Sequence, residues 1–154
     1  MEILYCEKWW IIEKKPLKPM SEESARLRHQ KRQSYTAILS KNGQPRFIIN
    51  IADKWVSIAF LDDLYRKYLQ YDFKEIKSNK IFLNTAIYWE HEDNSDSEIS
   101  TMMLRYQESG DILMEKRNLK TGEVEERETH DNAERNWEDY PLFGQYMFLC
   151  KEER

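Results

Sequence analysis

Glycine and proline are scarce, four of each in 154 residues. That excludes a low-complexity linker and leaves few tight backbone corners. It also leaves no glycine-rich phosphate loop, no Gly-x-Ser-x-Gly elbow and no Gly-x-Gly-x-x-Gly fingerprint. Only two cysteines occur, Cys6 and Cys150, and no Cys/His spacing suggests zinc. They read as reduced, packed thiols in adjacent terminal strands, with a bridge between those strands as the alternative. Long hydrophobic runs are missing as well. Trp9 to Ile12 and Ile58 to Leu61 are among the longest, against the roughly 20 apolar residues a membrane helix needs. The N-terminal stretch lacks the charged, apolar and cleavage regions of a signal peptide, so a cytoplasmic location is expected.

Aromatic residues are plentiful at 13%, and charged residues make up 34%. The length suits one domain with an ordinary core. The net charge of −4 conceals a division. Residues 1–80 carry 16 Lys/Arg against 10 Asp/Glu, a net of +6, while residues 81–154 carry 8 against 18, a net of −10. An acidic half argues against wrapping nucleic acid, whose phosphates demand concentrated positive charge.

Alternation dominates the chain. Glu2 to Glu13 reads as a strand, and Lys14 to Pro19 as a break caused by Pro16 and Pro19. Ser21 to Gln33 fits either a short exposed helix capped by Ser21 or an unstructured arm. Ser34 to Ser40 and Arg46 to Ile51 flank Asn42-Gly43, the strongest short hairpin signal. Trp55 to Phe60 suits a strand or the start of a helix. From Leu61 to Ile76 the apolar residues Leu61, Leu64, Tyr65, Tyr68, Leu69, Phe73 and Ile76 recur every three to four positions, which predicts an amphipathic helix with Leu64 and Leu69 buried. Beyond it, strands are expected over Lys80–Glu90, Ile99–Gln107, Ile112–Leu119, Val124–His130 and Leu142–Lys151. In the first of these, Ile81, Leu83, Thr85, Ile87 and Trp89 share one face. The expected fold class is α+β, a mostly antiparallel β-meander forming a sandwich or half-open barrel, with one main helix at 61–76.

No residues form a catalytic constellation. His91 and His130 lie in acidic loops without fixed geometry for a metal, and the cysteines sit in apolar strands. No cofactor and no enzymatic activity are expected. Two acidic clusters stand out as candidate partner-binding sites. One is Glu90, Glu92, Asp93, Asp96 and Glu98, five acids in nine residues without a Lys or Arg; the other spans Glu123 to Asp139 and includes Glu125, Glu128 and Asp131. Such patches steer basic partners when they are more than a solvated face. Trp137, in a polar stretch, is the candidate anchor, with a pinned loop as the alternative.

The run Asn136-Trp137-Glu138-Asp139-Tyr140-Pro141-Leu142-Phe143-Gly144-Gln145-Tyr146 resembles the endings of immunity proteins from bacterial contact-dependent growth-inhibition and related polymorphic toxin systems. A small, acidic, β-rich chain without catalytic residues is similar to them in character. The resemblance implies a cognate toxin domain as partner, a basic nuclease, whose active site is blocked by the bound inhibitor. It implies no particular fold. A carrier of small apolar ligands, of lipocalin or fatty-acid-binding type, is the alternative, and it requires an interior cavity.

Overall fold

Strands account for most of the molecule because aromatic and β-branched residues recur at every second position. The computed structural model describes residues 1–154. In chain order the strands are β1 (Glu2–Trp10), β2 (Lys15–Met20), β3 (Tyr35–Lys41), β4 (Gln44–Ala52), β5 (Trp55–Leu61), β6 (Lys67–Lys77), β7 (Lys80–His91), β8 (Glu98–Tyr106), β9 (Asp111–Asn118), β10 (Val124–His130) and β11 (Trp137–Asp139). One helix, α1 (Glu22–Gln30), lies between β2 and β3. All eleven strands join one antiparallel sheet in the order β10-β9-β8-β7-β6-β5-β4-β3-β1-β2, and β11 adds to the free end of β7. The sheet is open, with β10 and β2 at its edges.

The hairpin at Asn42-Gly43 forms as expected. Both residues take positive φ, 53° and 75°, the geometry that matches the twist of the flanking strands. The exposed helix capped by Ser21 is also present, and the Ser21 hydroxyl accepts from the Ser24 amide at 3.1 Å. The helix expected over 61–76 is absent. Its residues form the end of β5, a turn and most of β6. Asp62 Oδ1 accepts the amides of Leu64 and Arg66, and Tyr65 takes φ 60°, so the chain reverses. Leu69, Tyr71 and Phe73 are then buried at a period of two. Leu69 is buried as expected, but Leu64 lies on the turn and is 41% exposed.

Lys15 to Met20 is a strand despite Pro16 and Pro19, because it is an edge where prolines are tolerated. Residues 142–151 form turns and a short 3-10 segment, not a closing strand, so Cys6 and Cys150 do not sit in adjacent strands. Both thiols are free, and burial pushes them up, Cys6 to about 11 and Cys150 to about 12.

The sheet buries its two faces unequally. On the first face Leu39, Ile49, Ile51, Ile58, Phe60, Leu69, Tyr71 and Phe73 lie under Ala25 of α1 and under Tyr140, Tyr146 and Leu149. Burying each large apolar side chain here contributes about 1.5–3 kcal/mol. The buried hydroxyls are matched: Tyr35 and Tyr146 share a 2.9 Å hydrogen bond, and Tyr140 donates to the Ala52 carbonyl at 3.0 Å. On the second face Cys6, Ile38, Ile48, Ala59 and Leu61 form a smaller cluster against Trp9. A bulge at Asn84 swaps the facing within β7. Ile81, Leu83 and Ala86 enter the first-face core, whereas Thr85 and Ile87 pair with Asp72 and Gln70 and so face the other way. The single parity expected for β7 therefore fails at Asn84. Strand β8 still packs Leu104 and Tyr106 against the edge of the first-face core, β9 and β10 contribute nothing to it, and every residue of β10 is exposed.

Candidate functional site

The acidic residues singled out from the sequence lie on the loop between β7 and β8 and along the wing made by β8–β10. Glu90, at the end of β7, accepts the hydroxyl of Ser100 at 3.1 Å. Glu92 pairs with Lys120, and Asp96 with Lys14 at 2.8 Å. Arg66 fixes this loop from beneath: its guanidinium binds the Asp62 carboxylate at 2.8 Å and the carbonyls of Glu92 and Ser95 at 2.7 and 2.5 Å. Two of the five acids are thus spent on internal pairs. Asp93 and Glu98 remain exposed, with no cation within the range of an ion pair.

The second cluster follows β10. Glu125 pairs with Arg127 at 2.7 Å, and Asp131 with Arg135 at 2.5 Å. Glu126 and Glu128 are exposed and unpaired. The cross-strand partner of Glu126 is Glu115, so two carboxylates stand directly opposite. Glu90 and Glu125 share one shallow cleft with Glu123 and Lys116, which joins the two clusters at that end of the wing. Trp137 does not join them. It is half-buried, packed edge-to-face on Phe82 at 5.0 Å, with Lys77 over its ring at 5.2 Å. That placement favours a pinned segment over a free anchor.

A further cluster escaped sequence reading. On the second face a polar row crosses six strands: Thr36, Asn50, Ser57, Asp72, Thr85 and Arg105. Beside it Lys67 Nζ donates to Gln70 Oε1 at 3.2 Å, and Gln70 Nε2 donates to Asp72 at 2.9 Å. Burial pushes the Lys67 ammonium down, against the pull of Asp72. Burial likewise pushes the Asp72 carboxyl up, against its hydrogen bond from Gln70 and the charge of Lys67. A helix over 61–76 would place Lys67 and Gln70 on its polar side. Their alternation with Leu69, Tyr71 and Phe73 is the signal that would have placed them together. Lys67 also lines an open cup of about 190 Å³ with Ile11, Tyr65 and Trp89.

His29 sits apart, beneath the segment that covers the first face. Its Nδ1 is 2.8 Å from the Tyr35 hydroxyl, and the ring also meets the Pro141 carbonyl. Burial, aided by the charge of Arg32, pushes the imidazole below its ordinary range. A histidine held neutral in the fold binds its proton more readily when unfolded. Its contribution to stability is therefore complete above about pH 6.5 and is lost as pH falls through the folded-state value. Chemical denaturation between pH 7 and 5 should show stability falling with acid, and His29→Gln should flatten that slope. An unchanged slope in the variant would assign the effect elsewhere.

No three His, Cys, Asp or Glu side chains converge as a metal site requires. No helix is long and apolar enough to cross a membrane. Comparisons with protein families, curated proteins and solved structures found no match for this chain.

Proposed function

We propose that this chain is a stoichiometric inhibitor of a basic toxin domain, an immunity protein whose acidic wing occupies the cleft where a nuclease holds its polyanionic substrate. The observation that carries the reading is the set of exposed acids without internal partners, Asp93 on the loop between β7 and β8 and Glu98, Glu126 and Glu128 on the hydrogen-bonded sheet wing beside it. Carboxylates held on a sheet lose little conformational freedom on docking, and a one-signed surface accelerates encounter with a cationic cleft. The interior favours this reading over a carrier of apolar ligands. Tyr35, Tyr71, Phe60 and Phe73 fill the first-face core, and the best-formed depressions all open to solvent.

The test is stopped-flow association with a nuclease toxin domain, sought in the neighbouring reading frames, at low and high salt. Changing Asp93, Glu126 and Glu128 to Lys should slow association about tenfold or more at low salt, with the difference shrinking as salt rises. Glu92 and Asp96 are spared because their ion pairs hold the loop. Stability should change little, because exposed charges contribute little to it. A variant that associates at the wild-type rate, with no salt effect, would move the contact off this wing.

A further inference from the structure

The two edges of the sheet differ in a way that bears on how a partner docks. β2 carries Pro16 and Pro19, and Lys18 takes φ 51°, so that edge cannot template a continuous added strand. β10 has no proline and no residue of positive φ, and all seven of its residues are exposed. Its pairing with β9 shows which backbone groups are free. The Asp131 amide donates to the Gly110 carbonyl, and the Asn118 amide to the Glu123 carbonyl. Both bonds fit the β9–β10 register, in which Ile112 faces Thr129 and Lys116 faces Glu125. Hydrogen-bonded pairs alternate along an antiparallel ladder. Glu125, Arg127 and Thr129 therefore bond inward to β9, while Val124, Glu126, Glu128 and His130 turn their N–H and C=O groups outward.

The side chains of those outward residues select the occupant. Glu126 and Glu128 have no cationic partner, and Glu126 already stands opposite Glu115. Like charges directly opposed on a sheet destabilise it, and a cation laid beside them reverses the sign. The same rule disfavours a second copy of this chain in the centred register. Antiparallel pairing of β10 with itself about Arg127 sets Glu126 against Glu128 of the other copy and Arg127 against Arg127.

We infer that β10 is a strand-addition edge that takes an extended segment of the partner carrying Lys or Arg at alternating positions, in register with Glu126 and Glu128. Main-chain hydrogen bonds hold the segment and the alternating cations select it. The inference rests on the inhibitor reading for its choice of partner, but its test requires no toxin.

The probe is a ten-residue peptide of alternating Lys and Val, added at up to millimolar concentration and followed by amide hydrogen exchange. The amides of Val124, Glu126, Glu128 and His130 should slow by about tenfold or more at saturation. Those of Glu125, Arg127 and Thr129, already bonded to β9, should change little. Glu128→Pro removes one outward donor without touching a bond to β9, and it should abolish the protection. Glu128→Gln, which removes only charge, should weaken binding by about two- to fivefold. The same peptide N-methylated at its Lys residues, whose amides must face β10 when Lys is in register with Glu126 and Glu128, should not protect the edge. Three results would each overturn the inference: no protection at β10 with millimolar peptide, equal binding of the N-methylated peptide, or equal effects of Glu128→Pro and Glu128→Gln. Loss of strand addition with salt-sensitive association intact would leave the inhibitor reading in place. Strand addition without salt-sensitive association to the nuclease domain would reject that reading and keep the edge.

Discussion

Replacing Arg154 with Ala should cost about 3 kcal/mol of stability in urea denaturation. Its side chain is only 1% exposed. The guanidinium donates to Glu138 at 2.8 Å and to the Leu149 carbonyl at 2.9 Å, and it lies 4.7 Å from the ring centre of Phe73. Truncation leaves the Leu149 carbonyl without that donor, strips Glu138 of its buried partner and opens space beside two aromatic rings, Tyr71 and Phe73. Glu138 keeps Lys151 at 2.8 Å, which limits the loss to the lower part of the range for a broken buried pair. Arg154→Met restores volume but not charge, and should recover about half of the deficit. A loss below about 1 kcal/mol for Arg154→Ala would show that the contact is dispensable.

Gly110→Ala should be comparably damaging, chiefly through the backbone, with the His130 ring also within 2.9 Å of the added carbon. Gly110 takes φ 97°, and a Cβ there would lie 2.3 Å from the Asp131 carbonyl oxygen. The same residue accepts from the Asp131 amide at 3.0 Å and donates to Gln107 at 2.9 Å, so relief of the clash breaks the register that holds β10. Left-handed backbone alone costs a non-glycine residue about 1–2 kcal/mol, and the clash raises the total to about 3. Gly122→Ala is the control. It has φ 78° and nothing within 4 Å of its added carbon, so only the backbone cost applies. Equal losses at the two positions, measured by urea denaturation, would show that the close approach at Gly110 carries no energy.

The strands were legible wherever one local signal dominated. Asn42-Gly43 fixed a hairpin, Ser21 marked a helix start, and the alternation beyond Lys80 outlined β7 to β10. The failure at 61–76 has a physical origin. The apolar set from Leu61 to Tyr68 satisfies a helical period, and Leu69, Tyr71 and Phe73 satisfy a strand period within the same window. Only the reversal at Asp62–Arg66, built from side-chain-to-amide bonds and a positive φ at Tyr65, decides between them. The acids are visible in the sequence, but it could not show that Glu92 and Asp96 are tied to Lys120 and Lys14 from distant segments. The proximity of Lys67 and Asp72 was hidden by the same misassigned period.

The strand order also bears on how the chain reaches this state. From β4 to β10 each strand pairs with the one just before it, through connections of a few residues. Closing short loops loses little entropy, so these hairpins can zip in sequence, each templating the next. The cover of the first face has no such shortcut. Tyr146 must find Tyr35 across 111 positions, and Glu152 must find Tyr71 across 81. During synthesis the sheet is therefore exposed on its most apolar side until residues 137–154 emerge, and that interval is when association with other chains competes most strongly with folding.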